Sequence, residues 1–272
     1  MTPEDFLYSG ILPATEARML LQAATGLSRV QLLTGGREPL DDVQRARLDG
    51  LAARRLNGEP MAYILGGREF YGRLFCVNPA TLIPRPETEH LVDAALSLLP
   101  QGGRVWDAGT GSGAIAVTLA CERPDAFVAA SDISPAALDI ARANAQSHHA
   151  RVAFACGSWL DADVPGKEGG WDLIVSNPPY IAAGDPHLQQ GDLRFEPQQA
   201  LTDFADGLSC LRVLAKSAAR YLKAGGCLLL EHGFDQGGAV RRILEDEGWT
   251  GVETLRDLAG LERVALGRKP TP

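Results

Sequence analysis

No apolar run in this sequence approaches the roughly 20 residues that span a bilayer, and its first ten residues, MTPEDFLYSG, carry acids where a secretory leader carries bases. A soluble, cytoplasmic protein without membrane association is expected. The five cysteines (Cys76, Cys121, Cys156, Cys210 and Cys227) lie far apart with no C-x-x-C pair, each in or beside an apolar run. They read as small buried hydrophobes in a reducing compartment. The five histidines have no ligand-like spacing, and His148-His149 falls at a predicted helix end as a solvated pair, so no metal site is expected. Positive charge is also lacking: the net charge is −8, and residues 1–79 hold nine acids and nine bases, leaving 25 acids against 17 bases in residues 80–272. A protein that docks on nucleic acid gathers Lys and Arg on one face to displace counterions from phosphate, so no direct DNA binding is expected. Internal repeats and low-complexity segments are absent as well.

What is present is enough apolar material, 45% of 272 residues, to bury one large core and one smaller one. From Pro3 to about Leu65 the spacing predicts helices, with Leu20, Leu21, Ala24 and Leu27 on one face and Leu48, Leu51, Ala52 and Leu56 on another. Arg45, Arg47, Arg54 and Arg55 are compatible with a protein-facing surface, although solvated helix faces carry such residues by default. Residues 68–83, REFYGRLFCVNPATLI, turn aromatic and β-branched around Gly72, which predicts a short hairpin. The expected organisation is a helical domain over 1–67, a hairpin linker over 68–86 and a larger domain over 87–272. In the larger part, strand and helix alternate through RVWDAG (104–109), FVAASD (127–132), RVAFAC (151–156), WDLIVS (171–176) and GCLLLEH (226–232), the rhythm of a parallel sheet. GVETLRD and ERVALG follow with no helix between them, so the last two strands are expected to be antiparallel neighbours.

Chemistry-bearing residues fall at the carboxyl ends of these strands. Asp107-Ala108-Gly109-Thr110-Gly111-Ser112-Gly113 leaves the first parallel strand and opens a helix, a turn that lets a ligand approach the backbone. Gly109, Gly111 and Ala114 also satisfy the dinucleotide pattern G-x-G-x-x-G/A, so the turn alone does not choose a cofactor. Asp132 ends the second strand, where a carboxylate can accept from both hydroxyls of a ribose, whether of NAD or of S-adenosylmethionine; helix capping is its alternative role. Trp159, past the third strand, is as readily a core side chain as a neighbour of adenine.

Asn177-Pro178-Pro179-Tyr180 follows the fourth strand at the same edge. Two prolines fix φ and remove two backbone donors, leaving carbonyls that only accept. An amide or exocyclic amino nitrogen is a weak nucleophile because its lone pair is delocalised, and it improves as it pyramidalises. The Asn177 side-chain oxygen and the Pro178 carbonyl can each accept one N–H of such an –NH₂ group, with Tyr180 packed on its planar face. That arrangement aims the lone pair at an electrophilic methyl and stabilises the charge that develops.

GTGSG, the Asp132 position, GSW at 157–159 and NPPY together resemble the release-factor glutamine N5-methyltransferases. The resemblance extends to YILGGREFYG (63–72), LIPRPETE (82–89), DLRFEPQQAL (192–201), LLLEHG (228–233) and VETLRDLAGLERVALGR (252–268). It implies a Rossmann-like class I S-adenosyl-L-methionine-dependent methyltransferase fold: an α/β domain with a seven-stranded, mostly parallel sheet and an antiparallel last strand, plus a small N-terminal helical domain for substrate recognition. It implies S-adenosyl-L-methionine as cofactor, held by Gly109, Thr110, Gly111, Ser112 and Gly113, by Asp132 at the ribose, by Trp159 beside the adenine and by Asn177. Asn177, Pro178, Pro179 and Tyr180 would grip the glutamine amide, with Asn177, Pro178 and Tyr180 catalytic. The implied substrates are class I peptide chain release factors, methylated on the glutamine of their GGQ motif. Trp106 and Ala108 stand where similar proteins tend to have Leu, a departure expected to affect packing more than chemistry. NPPY is shared with amino-nitrogen methyltransferases of nucleic acids, so an adenine N6-methyltransferase is the alternative reading, and a nucleotide-binding module or dehydrogenase a third that gains nothing from NPPY. The long segment from Ile181 to Asp206 is expected to contribute to the substrate cleft through Arg194, Phe195 and Glu196, and Arg85 and Glu87 to border it or to form a structural ion pair.

Overall fold

The computed structural model describes residues 1–168 and 170–271, and the chain divides into two compact units, Met1–Gly67 and Arg68–Pro272. The first unit is helical: α1 (Pro3–Leu7), α2 (Ala14–Thr25), α3 (Arg29–Thr34), α4 (Asp42–Leu56) and α5 (Met61–Leu65). Capping boxes start three of them, with Thr2 and Asp5, Ser28 and Gln31, and Asp41 and Gln44 each exchanging side-chain and backbone hydrogen bonds. Leu20, Leu21, Ala24, Leu48 and Ala52 form the core expected from their spacing, whereas Leu56, on the last turn of α4, is exposed. Arg55 clamps α4 to α2 through a two-pronged ion pair with Glu16, both contacts at 2.8 Å, and Arg54 pairs with Glu59. These two arginines are therefore engaged within the unit.

The second unit opens with a hairpin, β1 (Gly67–Phe70) and β2 (Arg73–Cys76), whose Phe70 and Phe75 are buried in the core of the α/β layer. Then follow α6 (Glu89–Leu98), β3 (Arg104–Ala108), α7 (Ala114–Glu122), β4 (Phe127–Asp132), α8 (Pro135–Ser147), β5 (Val152–Cys156), β6 (Trp171–Ser176), the single turn α9 (Gln198–Leu201), α10 (Ser209–Ala218), β7 (Leu222–Glu231), α11 (Gly237–Asp246), β8 (Thr250–Arg256) and β9 (Glu262–Arg268). The seven strands β3–β9 are ordered β5-β4-β3-β6-β7-β9-β8. All neighbours are parallel except β9, which inserts between β7 and β8 antiparallel to both. The tight β8–β9 turn forces that reversal, since a parallel return needs a crossover. Because strand side chains alternate faces, Val105, Val128, Leu173, Val175 and Leu229 meet α6, α7 and the hairpin, while Trp106, Ala129, Ile174, Leu228 and Leu230 meet α10 and α11.

Trp106 is fully buried against Trp171 and Tyr221, with ring centroids 5.5 and 5.7 Å away. Its indole N–H donates to Ser131 Oγ at 2.9 Å, and that hydroxyl donates to the Trp159 carbonyl at 2.8 Å. The departure at this position thus fixes the loop after β5 as well as filling the core. The cysteine expectation needs correction: Cys227 is buried, but Cys76 and Cys156 end their strands on outward-facing positions and are exposed, and Cys121 and Cys210 are half-buried. His148 is also less solvated than expected, with its Nε2 2.9 Å from the Leu74 carbonyl and its ring 5.0 Å from Phe75. No helix among the described residues is long and apolar enough to cross a membrane.

Candidate active site

Strand order reverses between β3 and β6, so the loops leaving their carboxyl ends diverge and open a crevice, the position at which open α/β sheets bind ligands. A cavity of about 330 Å³ lies there. The turn after β3 supplies Gly109, Thr110, Gly111 and Ser112 to its wall, β4 supplies Asp132, the loop after β5 supplies Trp159, and the turn after β6 supplies Asn177 and Pro179.

Gly109 has φ +82°, and a Cβ placed there would lie 2.8 Å from the Trp159 ring, so only glycine lets the indole cover the turn. Gly113 has φ +83° and caps α7; a Cβ there would sit 3.1 Å from Ala141 Cβ, so it brings α7 close to α8 instead of lining the cavity. The N–H groups of Gly109 and Thr110 both donate to the Ser131 carbonyl, that of Gly111 to Asp132 Oδ2, and that of Gly113 to Thr110. Those four donors are consumed internally. The turn is thus not the open row of N–H groups with which a dinucleotide site holds pyrophosphate, and the ambiguity of its glycine pattern is reduced. Asp107, fully buried beneath it, accepts from the Thr110 hydroxyl at 2.6 Å, and burial pushes its carboxyl up to about 7.

Asp132 closes the turn into α8 and also lines the cavity. Oδ1 accepts from Ser134 N–H at 2.9 Å, closing the turn into α8, while Ser134 Oγ caps that helix; Oδ2 accepts from Gly111 at 2.8 Å. A carboxylate has about four acceptor positions, so it keeps acceptor capacity beyond these bonds, and the residue lines the cavity. Burial raises its pKa, opposed by the backbone N–H groups of Ser134, Gly111 and Ile133. With the apolar faces of Trp159, Ile133 and Ala137 on the same wall, the donor set and shape fit the ribose and adenine of S-adenosyl-L-methionine.

Asn177 Nδ2 donates to Thr88 Oγ1 at 3.1 Å, which leaves its side-chain oxygen as the group for an incoming donor. Pro179 lines the cavity, whereas Pro178 is buried behind it, and Tyr180 packs against the core with its hydroxyl 3.5 Å from Glu231 Oε1. Burial, with the Glu231 charge adding to it, raises the Tyr180 phenol above its ordinary pKa. The cavity therefore does not gather Pro178, Tyr180 or Gly113 with the others. Gln236 on the approach to α11 holds the end of the turn, donating to the Tyr180 carbonyl at 2.9 Å.

The segment 181–206 is structured: two 3-10 turns (Pro186–Gln189 and Gly191–Phe195) and α9 bring it back to a bridge between Ile181 and Thr202. Glu196 is not an exposed contact. Its buried carboxylate accepts from Ile83 N–H at 2.9 Å and pairs with Arg85, pinning the segment to the strip 80–85 at the cavity rim. Sequence reasoning missed Thr88, Glu231, Gln236 and Asn144, the last of which bonds Cys76 and the Ser112 carbonyl from α8. Glu231 left a signal, an acid closing the uncharged apolar run Cys227-Leu228-Leu229-Leu230; Thr88 and Asn144 left none in a single sequence.

This sheet, with its antiparallel insertion and its cavity at the β3–β6 switch point, defines a class I methyltransferase whose cofactor is S-adenosyl-L-methionine. Residues 11–66 match the PrmC N-terminal domain and residues 88–192 the methyltransferase small domain. A release factor glutamine methyltransferase of Neisseria gonorrhoeae is 66% identical over 268 residues, covering 98% of each chain, and one of Bordetella pertussis is 51% identical over 267 residues, covering 97% of this chain and 98% of its own. A methyltransferase structure from Pyrococcus furiosus, 18% identical, covers 82% of this chain and 100% of its own at a TM-score of 0.57, a likeness of fold. The chain belongs to the release factor glutamine methyltransferase family.

Proposed function

We propose that this protein transfers a methyl group from S-adenosyl-L-methionine to the side-chain amide nitrogen (N5) of the glutamine in the GGQ motif of class I peptide chain release factors. The cofactor supplies an electrophilic methyl group carried on a sulfonium. Asp132 accepts from the ribose hydroxyls, the turn Gly109–Gly113 borders the methionine moiety and Trp159 covers the adenine side. The observation that carries the reading is the polarity of Asn177: with its –NH₂ directed at Thr88, the side-chain oxygen accepts one N–H of the target amide. Backbone carbonyls of the Pro178-Pro179 turn accept the second N–H. Held by both protons, the nitrogen pyramidalises with its lone pair toward the methyl; as the N–C bond forms the sulfonium–carbon bond breaks, the acceptors stabilise the positive charge that develops on nitrogen, and one of its N–H protons is then lost to solvent.

The helical unit of residues 1–67 recognises the folded release factor, because one glutamine side chain offers too little surface for specificity. The acidic balance of residues 80–272 favours a protein substrate over a flipped base, which would need phosphate-binding groups around it. The test is methyl transfer to a purified class I release factor and to its variant with the GGQ glutamine replaced by alanine. Intact mass should show one added methyl on the first and none on the second, and methylation of both proteins would reject the reading.

A further inference from the structure

Phe204 lines the cavity and is nevertheless 65% exposed, so a large apolar side chain stands open at the mouth. Its backbone lies in the left-handed region, at φ +57°, where Cβ crowds the neighbouring carbonyl and a bulky aromatic seldom sits. Four non-glycine residues among those described have a positive φ, and two of them, Trp159 and Phe204, line this one cavity. Trp159 belongs to the cofactor wall. Nothing above gives Phe204 a role.

The turn that imposes this conformation is over-determined. Thr202 Oγ1 accepts from Phe204 N–H at 3.1 Å, Asp203 Oδ1 accepts from Ala205 and Gly207 N–H, both at 2.9 Å, and Asp203 Oδ2 accepts from Ser209 N–H at 2.8 Å. The same turn is tied to the residues that follow Asn177. Thr202 bridges Ile181, Ala183 N–H donates to the Ala205 carbonyl at 2.9 Å, and Gln236 Nε2 donates to the carbonyls of Tyr180 and Gly207 at 2.9 and 3.3 Å. Phe204 is therefore held in place relative to the NPPY turn. An unfavourable backbone angle kept by redundant bonds beside a ligand cavity is the pattern of a preorganised group.

We propose that Phe204 is a specificity-determining residue for the substrate protein, its ring packing on the peptide groups of the glycines that precede the target glutamine. The proposal rests on the reading of release factors as substrates. With the glutamine amide held at Asn177, the side chain reaches into the cavity and leaves its own backbone at the mouth, where Phe204 stands. A glycine has no Cβ, so an aromatic ring can lie flat against its peptide plane and take weak C–H and N–H contacts on its face. Any other residue sets a Cβ against the ring. Glycine pairs are also the backbone that loses most freedom on ordering, and a ring already fixed in position adds no ordering cost of its own.

The experiment measures methylation kinetics of a purified class I release factor, and of its variant with alanine for the glycine next to the GGQ glutamine, by the wild type, Phe204→Gly and Phe204→Tyr. Glycine accepts the left-handed φ, so the Tm of Phe204→Gly should equal or exceed that of the wild type, and its calorimetric affinity for S-adenosylmethionine should be unchanged. Its KM for the native release factor should rise roughly tenfold, the scale of one aromatic contact. Phe204→Tyr keeps the ring and should restore the wild-type KM. The wild type should discriminate against the alanine variant more strongly than Phe204→Gly does, because the added Cβ has a ring to meet only in the wild type. Three results would each overturn the proposal: wild-type KM and discrimination in Phe204→Gly, equal impairment in Phe204→Tyr, or weakened cofactor binding with an unchanged KM, which makes the ring a cofactor contact. If the wild type leaves the release factor unmodified, the substrate reading fails and this proposal with it, whereas methylation indifferent to Phe204 defeats this proposal alone.

Discussion

Replacing Asp132 by alanine separates what this carboxylate does for the fold from what it does for the cofactor. Within the protein it accepts from Gly111 N–H at 2.8 Å and Ser134 N–H at 2.9 Å. Ser134 keeps its own cap on Ala137, so the stability lost should be about 1 kcal/mol, the scale of a helix-start contact. At the cavity wall the acceptor capacity that remains can offer charge-assisted hydrogen bonds to ribose hydroxyls, each worth at most about 1.5–3 kcal/mol before water takes its place. A net loss of about 2–3 kcal/mol corresponds to S-adenosylmethionine binding weakened roughly 30- to 150-fold. Sign and pH add a second check. Because burial raises the Asp132 pKa, the acceptor is lost on acidification at a higher pH than for an exposed aspartate, so wild-type affinity should begin to fall in weak acid, and Asp132→Asn should lack that dependence. Calorimetric titration at several pH values, with thermal unfolding of the ligand-free proteins, measures both quantities. A folded Asp132→Ala protein with wild-type affinity would refute the reasoning.

Gly109→Ala combines a left-handed φ, costing about 1–2 kcal/mol, with a Cβ 2.8 Å from the Trp159 ring; urea denaturation should show that loss, and Trp159→Ala should relieve part of it in the double variant. Glu196→Ala strands Ile83 N–H and the half-exposed Arg85, so it should cost about 2–3 kcal/mol, below the cost for a fully buried pair, and limited proteolysis should cut within 181–206 faster than in the wild type. Trp106→Ala should cost about 3–5 kcal/mol in chemical denaturation, with Trp106→Leu milder because only the Ser131 contact and part of the ring volume are lost.

The fold was legible where periodicity and connection length carry it. Alternating apolar segments gave the five parallel strands, and the short span between Arg256 and Glu262 gave the antiparallel ending, because no crossover fits there. The order β5-β4-β3-β6-β7-β9-β8 leaves no periodicity of its own and was not legible in the sequence. In the site, Gly109 to Ser112, Asp132, Trp159 and Asn177 stand out because each closes a strand, and strand ends share one edge. Thr88, Asn144 and Gln236 do not, since their roles come from partners 89, 68 and 56 residues away in the chain. Pro178 and Tyr180 were drawn toward the cavity by the chemistry of the motif, yet the turn buries the first and points the second at Glu231. The orientation of a turn depends on what packs behind it, here Gln236 and Gly207, and a motif does not encode that.

The central claim is that the Asn177 side-chain oxygen holds the target amide as charge develops on its nitrogen. The most direct test is single-turnover methylation of release factor by Asn177→Ala at saturating cofactor and substrate, with circular dichroism confirming the fold and calorimetry the cofactor affinity. Loss of one preorganised transition-state contact should slow the step by roughly 10²–10³-fold, with S-adenosylmethionine affinity changed only modestly. Turnover near the wild-type rate in a folded, cofactor-saturated Asn177→Ala protein would contradict the claim.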